Sequence, residues 1–234
     1  MIKNFLLLFV FLFVLFFQSG VSTDKRADQF NNLINNYDEF LSINENLKLI
    51  YDSDFGEVES IIEKNQNTFS HIIQGNKFKY YQSLVKQSDG FYITKIEQEI
   101  NLLLFINSSS KVTYDKPALR LPLPIYQGAK WTWKGEENID DEKDEITLKG
   151  FCYGVEKVET KAGKFNCLKT KLEVIRKDGE KTTVVEWRAA NLGIVKTEIE
   201  MGNHGLTGII KSIFGYDKIS FELKNIQNNQ TKND

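Results

Sequence analysis

Apolar and polar residues alternate along most of the chain from Leu47 onward, which is the period of a β-strand with one buried face. Turn residues such as Asp89-Gly90 interrupt this alternation at short intervals and favour hairpins. The pattern therefore predicts a mainly β protein with antiparallel strands. The predicted strands cover residues 47–51, 58–63, 78–84, 91–97, 100–106, 146–158, 165–176, 193–201 and 219–223.

The hairpin around Asp178-Gly179 has the clearest register in the sequence. A two-residue type I′ turn there pairs Leu172 with Val185 and Thr170 with Trp187. One face of the hairpin is then apolar and the other mostly polar, as in an antiparallel sheet that is covered on one side only. The predicted apolar face carries Leu168, Leu172, Val174, Val185 and Trp187.

One segment near the C-terminus changes from the strand period to the helix period. Between Gly205 and Gly215, apolar residues recur at helical spacing, which predicts a short amphipathic helix. The helix either packs as a plain cover over the sheet, or acts as a lid over an apolar groove or as a membrane-touching element. Its apolar residues are Leu206, Ile209, Ile210, Ile213 and Phe214.

The N-terminus has the pattern of a secretory signal peptide. Lys3 precedes an apolar run from Phe5 to Phe17, which is shorter than the ~20 residues of a membrane span. An uncleaved anchor is the alternative, and no other segment of the sequence is long and apolar enough to span a membrane. We therefore predict export to the periplasm or the extracellular space. The predicted organisation is 1–22 signal peptide, 23–45 lead-in with helical spacing, 46–226 antiparallel β domain and 227–234 disordered tail.

Net charge argues against a nucleic-acid partner, and the spacing of the two cysteines argues against a disulfide. A net charge of −2 with scattered Lys and Arg argues against a nucleic-acid binder, which would carry a basic stripe. Cys152 and Cys167 would reach an oxidising compartment, but a hairpin turn near residues 162–163 offsets them by about five residues, at ~3.3 Å each. That offset disfavours a disulfide.

The three prolines between 116 and 124 predict an extended edge or crossing segment.

The residues that could support catalysis or metal binding are few. His71 and His204 are the histidines of the chain, and neither belongs to a nucleophile or zinc motif. A Cys152–His204 pair stays open on sequence alone. The acidic run at 140–145 lacks the glycine and the last glutamate of an EF-hand loop. We therefore predict no catalytic residue, no metal site and no cofactor.

Five short motifs follow one another in the second half of the chain. They are Lys116-Pro117 with Leu121-Pro122-Leu123-Pro124; Gly128-Ala129-Lys130-Trp131-Thr132-Trp133; Gly154-Val155-Glu156-Lys157-Val158; Ala162-Gly163-Lys164-Phe165; and Glu186-Trp187 with Leu192-Gly193-Ile194-Val195-Lys196. In this order they resemble a family of uncharacterised exported bacterial β-domains, which looks related to the lipoprotein-carrier half-barrels (LolA/LolB-like). The resemblance implies a single curved antiparallel sheet, a half-barrel, covered by the short helix. It implies no catalytic residue.

These observations favour a non-catalytic exported protein that binds a lipid or another apolar small molecule on the concave face of the sheet. The alternatives are a structural or protein-interaction module of the cell envelope, whose tryptophans are plain core, and a hydrolase, which the lack of a catalytic base disfavours. The candidate ligand-binding residues are Trp131, Trp133, Leu172, Val174, Val185 and Trp187, with the residues of the short helix as the lid.

Overall fold

The computed structural model describes residues 44–103, 106–203 and 205–229, together with Phe40. The predicted signal peptide and most of the lead-in lie outside the described residues, as do residues 230–234. The described strands and helix, in chain order, are β1 (Leu47–Ser53), β2 (Gly56–Asn65), β3 (Thr68–Gly75), β4 (Phe78–Gln87), β5 (Gly90–Leu103), β6 (Ile106–Pro122), β7 (Lys130–Ile139), β8 (Glu142–Thr160), β9 (Gly163–Arg176), β10 (Lys181–Ala189), β11 (Gly193–Glu200), α1 (Gly205–Phe214) and β12 (Lys218–Asn228).

The strands form one closed antiparallel barrel of 12 strands, in which each strand pairs with its neighbours in the sequence. Closure comes from β1 and β12, which pair from Leu47 with Asn228 to Ser53 with Phe221. The predicted half-barrel is therefore wrong, although the mainly antiparallel β class is confirmed. Pairing the first strand with the last removes both free edges, whose unpaired amides and carbonyls would otherwise face solvent.

The turns of this barrel alternate between its two ends because successive strands run antiparallel. The turns after β1, β3, β5, β7 and β9 lie at the same end as the β11–β12 connection, and that connection contains α1. We call this the helix end and the other the opposite end. The opposite end holds the start of β1 and the end of β12.

Helix α1 has the bounds that its two flanking glycines predict. Gly205 begins it, and Gly215 follows it in the left-handed region, with a φ of 74°. The Gly215 amide donates to the Lys211 carbonyl at 2.8 Å, which satisfies one carbonyl of the last turn. Ile210 is buried. The short amphipathic helix is confirmed, and it covers the helix end of the barrel.

The barrel wall follows the alternation seen in the sequence. In β7, Trp131 and Trp133 are buried, whereas Lys130, Thr132 and Lys134 are exposed. Trp131 lies flat against Gly150 of β8, where a Cβ atom would fall 1.8 Å from the indole ring. Only glycine permits this close approach.

The β9–β10 hairpin differs from its predicted register by one residue. Leu172 pairs with Val184 and Thr170 with Glu186. The loop has three residues: the Gly179 amide donates to the Arg176 carbonyl at 3.0 Å, and Gly179 itself has a φ of 88°. This loop is a type I turn followed by a glycine in the left-handed region. The sequence Lys-Asp-Gly suits such a three-residue loop as well as it suits a two-residue turn. A slip of one residue moves every β10 side chain to the other face.

Two further expectations have a clear outcome. Cys152 and Cys167 are free and buried, and they pair with Thr170 and Glu156 across the sheet rather than with each other. The proline segment is part of β6, which pairs with β5 as far as Pro122 but with β7 only at residues 112–114. The prolines, which have no amide hydrogen to donate, therefore lie in a part of β6 that is not paired with β7.

Among the described residues, no helix has the length and apolarity needed to cross a membrane.

Candidate binding cavity inside the barrel

A cavity of about 220 Å³ lies inside the barrel at the helix end. Inward side chains of β1, of β3 to β12 and of α1 line it, and most of them are apolar. We call it the helix-side cavity. Its apolar side chains near α1 include Ile73, Phe78, Ile199, Ile210, Ile219 and Phe221.

A smaller cavity of about 50 Å³ lies toward the opposite end, near Asn44 and Leu47. The two cavities share the polar side chains of Tyr51, His71, Gln82 and Arg120. With Glu186 and Arg188, these residues form what we call the polar belt. The belt crosses the interior of the barrel and forms the inner end of the helix-side cavity.

An ion cluster lies within the polar belt. Arg188 donates to Glu186 Oε2 from Nε at 3.1 Å and from a terminal nitrogen at 2.7 Å. Arg120 donates to Glu186 Oε1 from the opposite side. The side chains of Arg188 and Glu186 are 10% and 9% exposed, so solvent screens the cluster weakly.

This cluster holds more positive than negative charge. Burial alone would raise the pKa of Glu186, but the guanidinium groups of Arg120 and Arg188 outweigh burial and lower it to about 2. Glu186 is therefore a carboxylate at neutral pH, and two guanidinium groups face it. The cluster keeps one positive charge in excess.

His71 adds no charge to the polar belt. Burial and the nearby charge of Arg188 lower its pKa to about 4, so the imidazole is neutral at pH 7. His71 Nε2 lies 2.8 Å from Ser60 Oγ, a serine–histidine contact that the sequence does not reveal. A base with this pKa is poorly matched to proton abstraction near neutral pH. The adjacent cavity of about 50 Å³ also leaves little room for a substrate.

The tyrosines that line the interior are neutral as well. Burial raises the pKa of Tyr80 to about 12 and raises that of Tyr51 strongly. The Tyr51 hydroxyl donates to the Ile194 carbonyl at 2.6 Å, and the Gln82 amide donates to the Tyr80 oxygen at 3.0 Å. No acidic tyrosine therefore offsets the excess charge of the cluster.

A second ion cluster lies elsewhere on the wall of the helix-side cavity. Arg176 contacts Glu137 and donates to Asp144 Oδ2 at 2.8 Å. Burial raises the pKa of Glu137 even though Arg176 opposes this. Arg176 thus faces two carboxyl groups, whereas Arg120 and Arg188 share one. Among the described residues, no group of His, Cys, Asp and Glu side chains could hold a metal ion.

The predicted ligand-binding residues fall into separate places. Leu172, Val174 and Ile210 line the helix-side cavity. Trp131 reaches only a gap of about 10 Å³ beside Arg120 and Glu186. Trp133 packs edge-on against Tyr114, with ring centroids 5.9 Å apart.

The prediction that Val185 and Trp187 share a face with Leu172 is wrong. The register of β10 turns them away from Glu186, which lines the cavity. Trp187 instead donates to Glu156 Oε1 at 2.6 Å and lies beneath the Lys169 and Lys196 ammonium groups, which are 4.9 and 5.2 Å from its ring. The side chains of β10 that point into the barrel are the polar ones on its other face.

The predicted lid residues are only partly described. Phe214 packs against Phe55, with ring centroids 4.8 Å apart, at the rim of the helix end. The side chains of Leu206, Ile209 and Ile213 lie outside the described part of the structure. His204 also lies outside the described residues, so the structure does not test the Cys152–His204 alternative.

Sequence reasoning missed the polar belt altogether. One signal was present, because Glu186 and Arg188 are two positions apart in a strand and must share a face. Arg120 lies 66 residues from Glu186 in the chain, and no local pattern connects the two.

A family model described as DUF3108-like matches residues 141–209, which is less than half of the chain. No curated protein matches the chain.

Several solved structures are similar to this chain at low identity. A lipoprotein candidate from Parabacteroides distasonis ATCC 8503 is 12% identical, with a TM-score of 0.42, over 80% of this chain and 98% of that one. A candidate exported protein with a YmcC-like fold from Bacteroides fragilis NCTC 9343 is 16% identical, with a TM-score of 0.40, over 80% and 98%. The hypothetical lipoprotein YmcC from Escherichia coli (K12) is 11% identical, with a TM-score of 0.41, over 88% and 97%.

Proposed function

We propose that this chain is an exported, non-catalytic protein that holds an apolar, lipid-like ligand inside its barrel. The helix-side cavity of about 220 Å³ carries the proposal, because apolar side chains from nearly every strand converge on it. The signal-peptide pattern at residues 1–22 supports export. A largely apolar cavity with a few convergent polar groups is the usual form of a small-molecule site.

The size of the cavity suits a small or medium apolar ligand. An engineered apolar cavity of roughly 150 Å³ is enough to bind benzene. The helix-side cavity, at about 220 Å³, is larger than this. A short acyl chain fits this space, whereas a complete diacyl lipid would have to leave part of its chains outside.

Two variants on adjacent positions of β9 test the proposal. Val174 lines the helix-side cavity, whereas Ile175 lies on the other face beside a surface depression. V174F should fill the cavity and weaken binding of a fluorescent apolar probe at least tenfold, and I175F should leave binding within about twofold of wild type. Denaturant unfolding of each variant checks that it folds. Equal binding by V174F, I175F and wild type would place the probe elsewhere.

Helix α1 is suited to act as the movable cover of this cavity. Thr207 Oγ1 lies 2.8 Å from Thr182 Oγ1 of β10, so the hydroxyls join helix and wall. A T182C/T207C pair can form a disulfide only if the two positions stay this close. Oxidation of the pair should slow probe entry and release severalfold, and reduction should restore both rates. Unchanged rates in the oxidised variant would show that ligands enter by another path.

A second candidate function, a protein-interaction module, is favoured by apolar side chains on the outer surface. Tyr126, Tyr153 and Val155 are 46%, 42% and 55% exposed. Gly154 packs against Gln127, so these residues lie in one region of the surface. Sedimentation of wild type and of Y153S/V155S over a range of concentrations tests self-association through this region. A concentration-dependent dimer that the double variant loses would support the module.

A further inference from the structure

The two cavities inside the barrel are separated by side chains that border both of them. Tyr51, His71 and Gln82 line the helix-side cavity of about 220 Å³ and also the smaller cavity of about 50 Å³. A side chain that borders two separate cavities is part of the wall between them. The inner end of the helix-side cavity is therefore a partition made of polar belt side chains.

Several groups of this partition are held in place by bonds within the barrel. Arg120 and Arg188 pair with the Glu186 carboxylate, and the side chains of Arg188 and Glu186 are 10% and 9% exposed. Breaking a buried ion pair leaves an uncompensated charge away from water, which is costly. The Tyr51 hydroxyl donates to the Ile194 carbonyl at 2.6 Å. An apolar ligand makes no bond that would replace these, so it stops at the partition.

Gln82 is an uncharged part of the partition. It is 4% exposed, and its side-chain amide donates to the hydroxyl of Tyr80, which lines the helix-side cavity, at 3.0 Å. Beyond the partition, the smaller cavity is lined mainly by apolar side chains, among them Leu49, Leu84 and Phe91. Shortening Gln82 should therefore join two largely apolar spaces without breaking the ion cluster.

We propose that the polar belt limits the length of the bound ligand, and that Gln82 is the residue that determines this limit. This inference rests on the proposed function and restricts its ligand to a single apolar chain that ends at the belt. The chain lies among the apolar side chains of the helix-side cavity, with its tip against Gln82 and its other end toward α1. Each CH₂ group buried there strengthens binding about fourfold, whereas the additional CH₂ groups of a longer chain stay outside the cavity.

A series of alkyl maltosides from hexyl to dodecyl tests the limit, because a disaccharide is too polar to enter an apolar cavity and the chain must enter first. Each is added below its critical micelle concentration to protein purified without detergent, and displacement of a fluorescent apolar probe measures its affinity. We expect the affinity to rise about fourfold per carbon up to a limiting length and then to stay constant. A rise that continues to dodecyl, or no rise at all, would overturn the inference and keep the proposed function. Maltosides that do not displace a bound probe would also overturn the inference alone, whereas failure of the probe to bind would overturn both.

Two buried glutamines on neighbouring strands distinguish the partition from a general effect of cavity size. Gln82 of β4 borders both cavities, whereas Gln98 of β5 lies opposite Tyr80, nearer the helix end, and lines the helix-side cavity alone. Q82A should carry the rise in affinity at least one carbon further, and Q98A, which removes the same atoms, should leave the limiting length unchanged. Urea unfolding checks that each variant folds; if Q82A does not, H71A carries the test, because His71 borders both cavities too. An unchanged limit in Q82A, or an equal shift in Q98A, would refute the assignment.

Discussion

Replacing Glu186 by glutamine should destabilise the barrel by about 3 kcal/mol at pH 7. An amide has the shape of the protonated carboxyl, so E186Q removes the charge and little else. In the folded protein, Arg120 and Arg188 lower the pKa of Glu186 from an ordinary value of 4.5 to about 2. At about 1.4 kcal/mol per pKa unit, this difference corresponds to about 3 kcal/mol. The side chain is 9% exposed, so little of this is lost to solvent screening.

The dependence on pH identifies the cause of the loss. A carboxyl whose pKa is lowered by folding stabilises the protein above its unfolded pKa, and this contribution disappears as pH falls through the folded pKa. The deficit of E186Q should therefore be full above pH 4.5 and should vanish toward pH 2, where wild-type Glu186 is protonated too. Other carboxyls titrate alike in both proteins and cancel in the difference.

Urea unfolding of wild type and E186Q from pH 7 down to the lowest pH at which both still fold measures this deficit. Its matched control is E198Q, because Glu198 pairs with Lys196 and Lys218 at 3.0 Å with more of its side chain exposed. Such pairs contribute only about 0–1 kcal/mol. A deficit in E186Q below about 1 kcal/mol at pH 7, or one that does not change with pH, would refute the electrostatic argument.

Two further predictions concern packing. G150A should destabilise the fold by roughly 1–3 kcal/mol or more in a denaturant titration, because its Cβ would fall 1.8 Å from the Trp131 ring; an unchanged midpoint would contradict the close packing. Cys152 and Cys167 are completely buried, and burial raises the pKa of Cys167 to about 11. A thiol reagent at pH 8 should therefore label neither in the native protein and both after unfolding, whereas no labelling after unfolding without reductant would indicate a disulfide.

The helix illustrates what can be predicted from local pattern. Gly205 and Gly215 bound a segment whose apolar residues recur at helical spacing, and α1 has these bounds. The signal is local because a helix forms its backbone hydrogen bonds between residues close in sequence, and its period shows within a few turns. The strands of the hairpins are predictable for a similar reason, since alternation marks them one by one.

The β9–β10 hairpin illustrates where local pattern fails. Asp178-Gly179 predicts a tight turn, but two-residue and three-residue loops differ by a single position in register. Hydrophobicity alone favours Val185 and Trp187 as the inward residues. The three-residue loop instead turns Glu186 inward, where Arg120 from a distant strand and Arg188 pair with it. Trp187 is still only 7% exposed on the other face, so this register buries both the ion cluster and the indole.

Local sequence patterns are enough to predict a β protein with antiparallel hairpins and a short helix between two glycines. These features depend on contacts between residues close together in the chain. The pairing of β1 with β12, which closes the sheet, and the contact of Arg120 with Glu186 inside it are visible only in the folded chain. Pairings between distant parts of the chain leave no periodic trace in the sequence, because each depends on how all the intervening strands twist and stack.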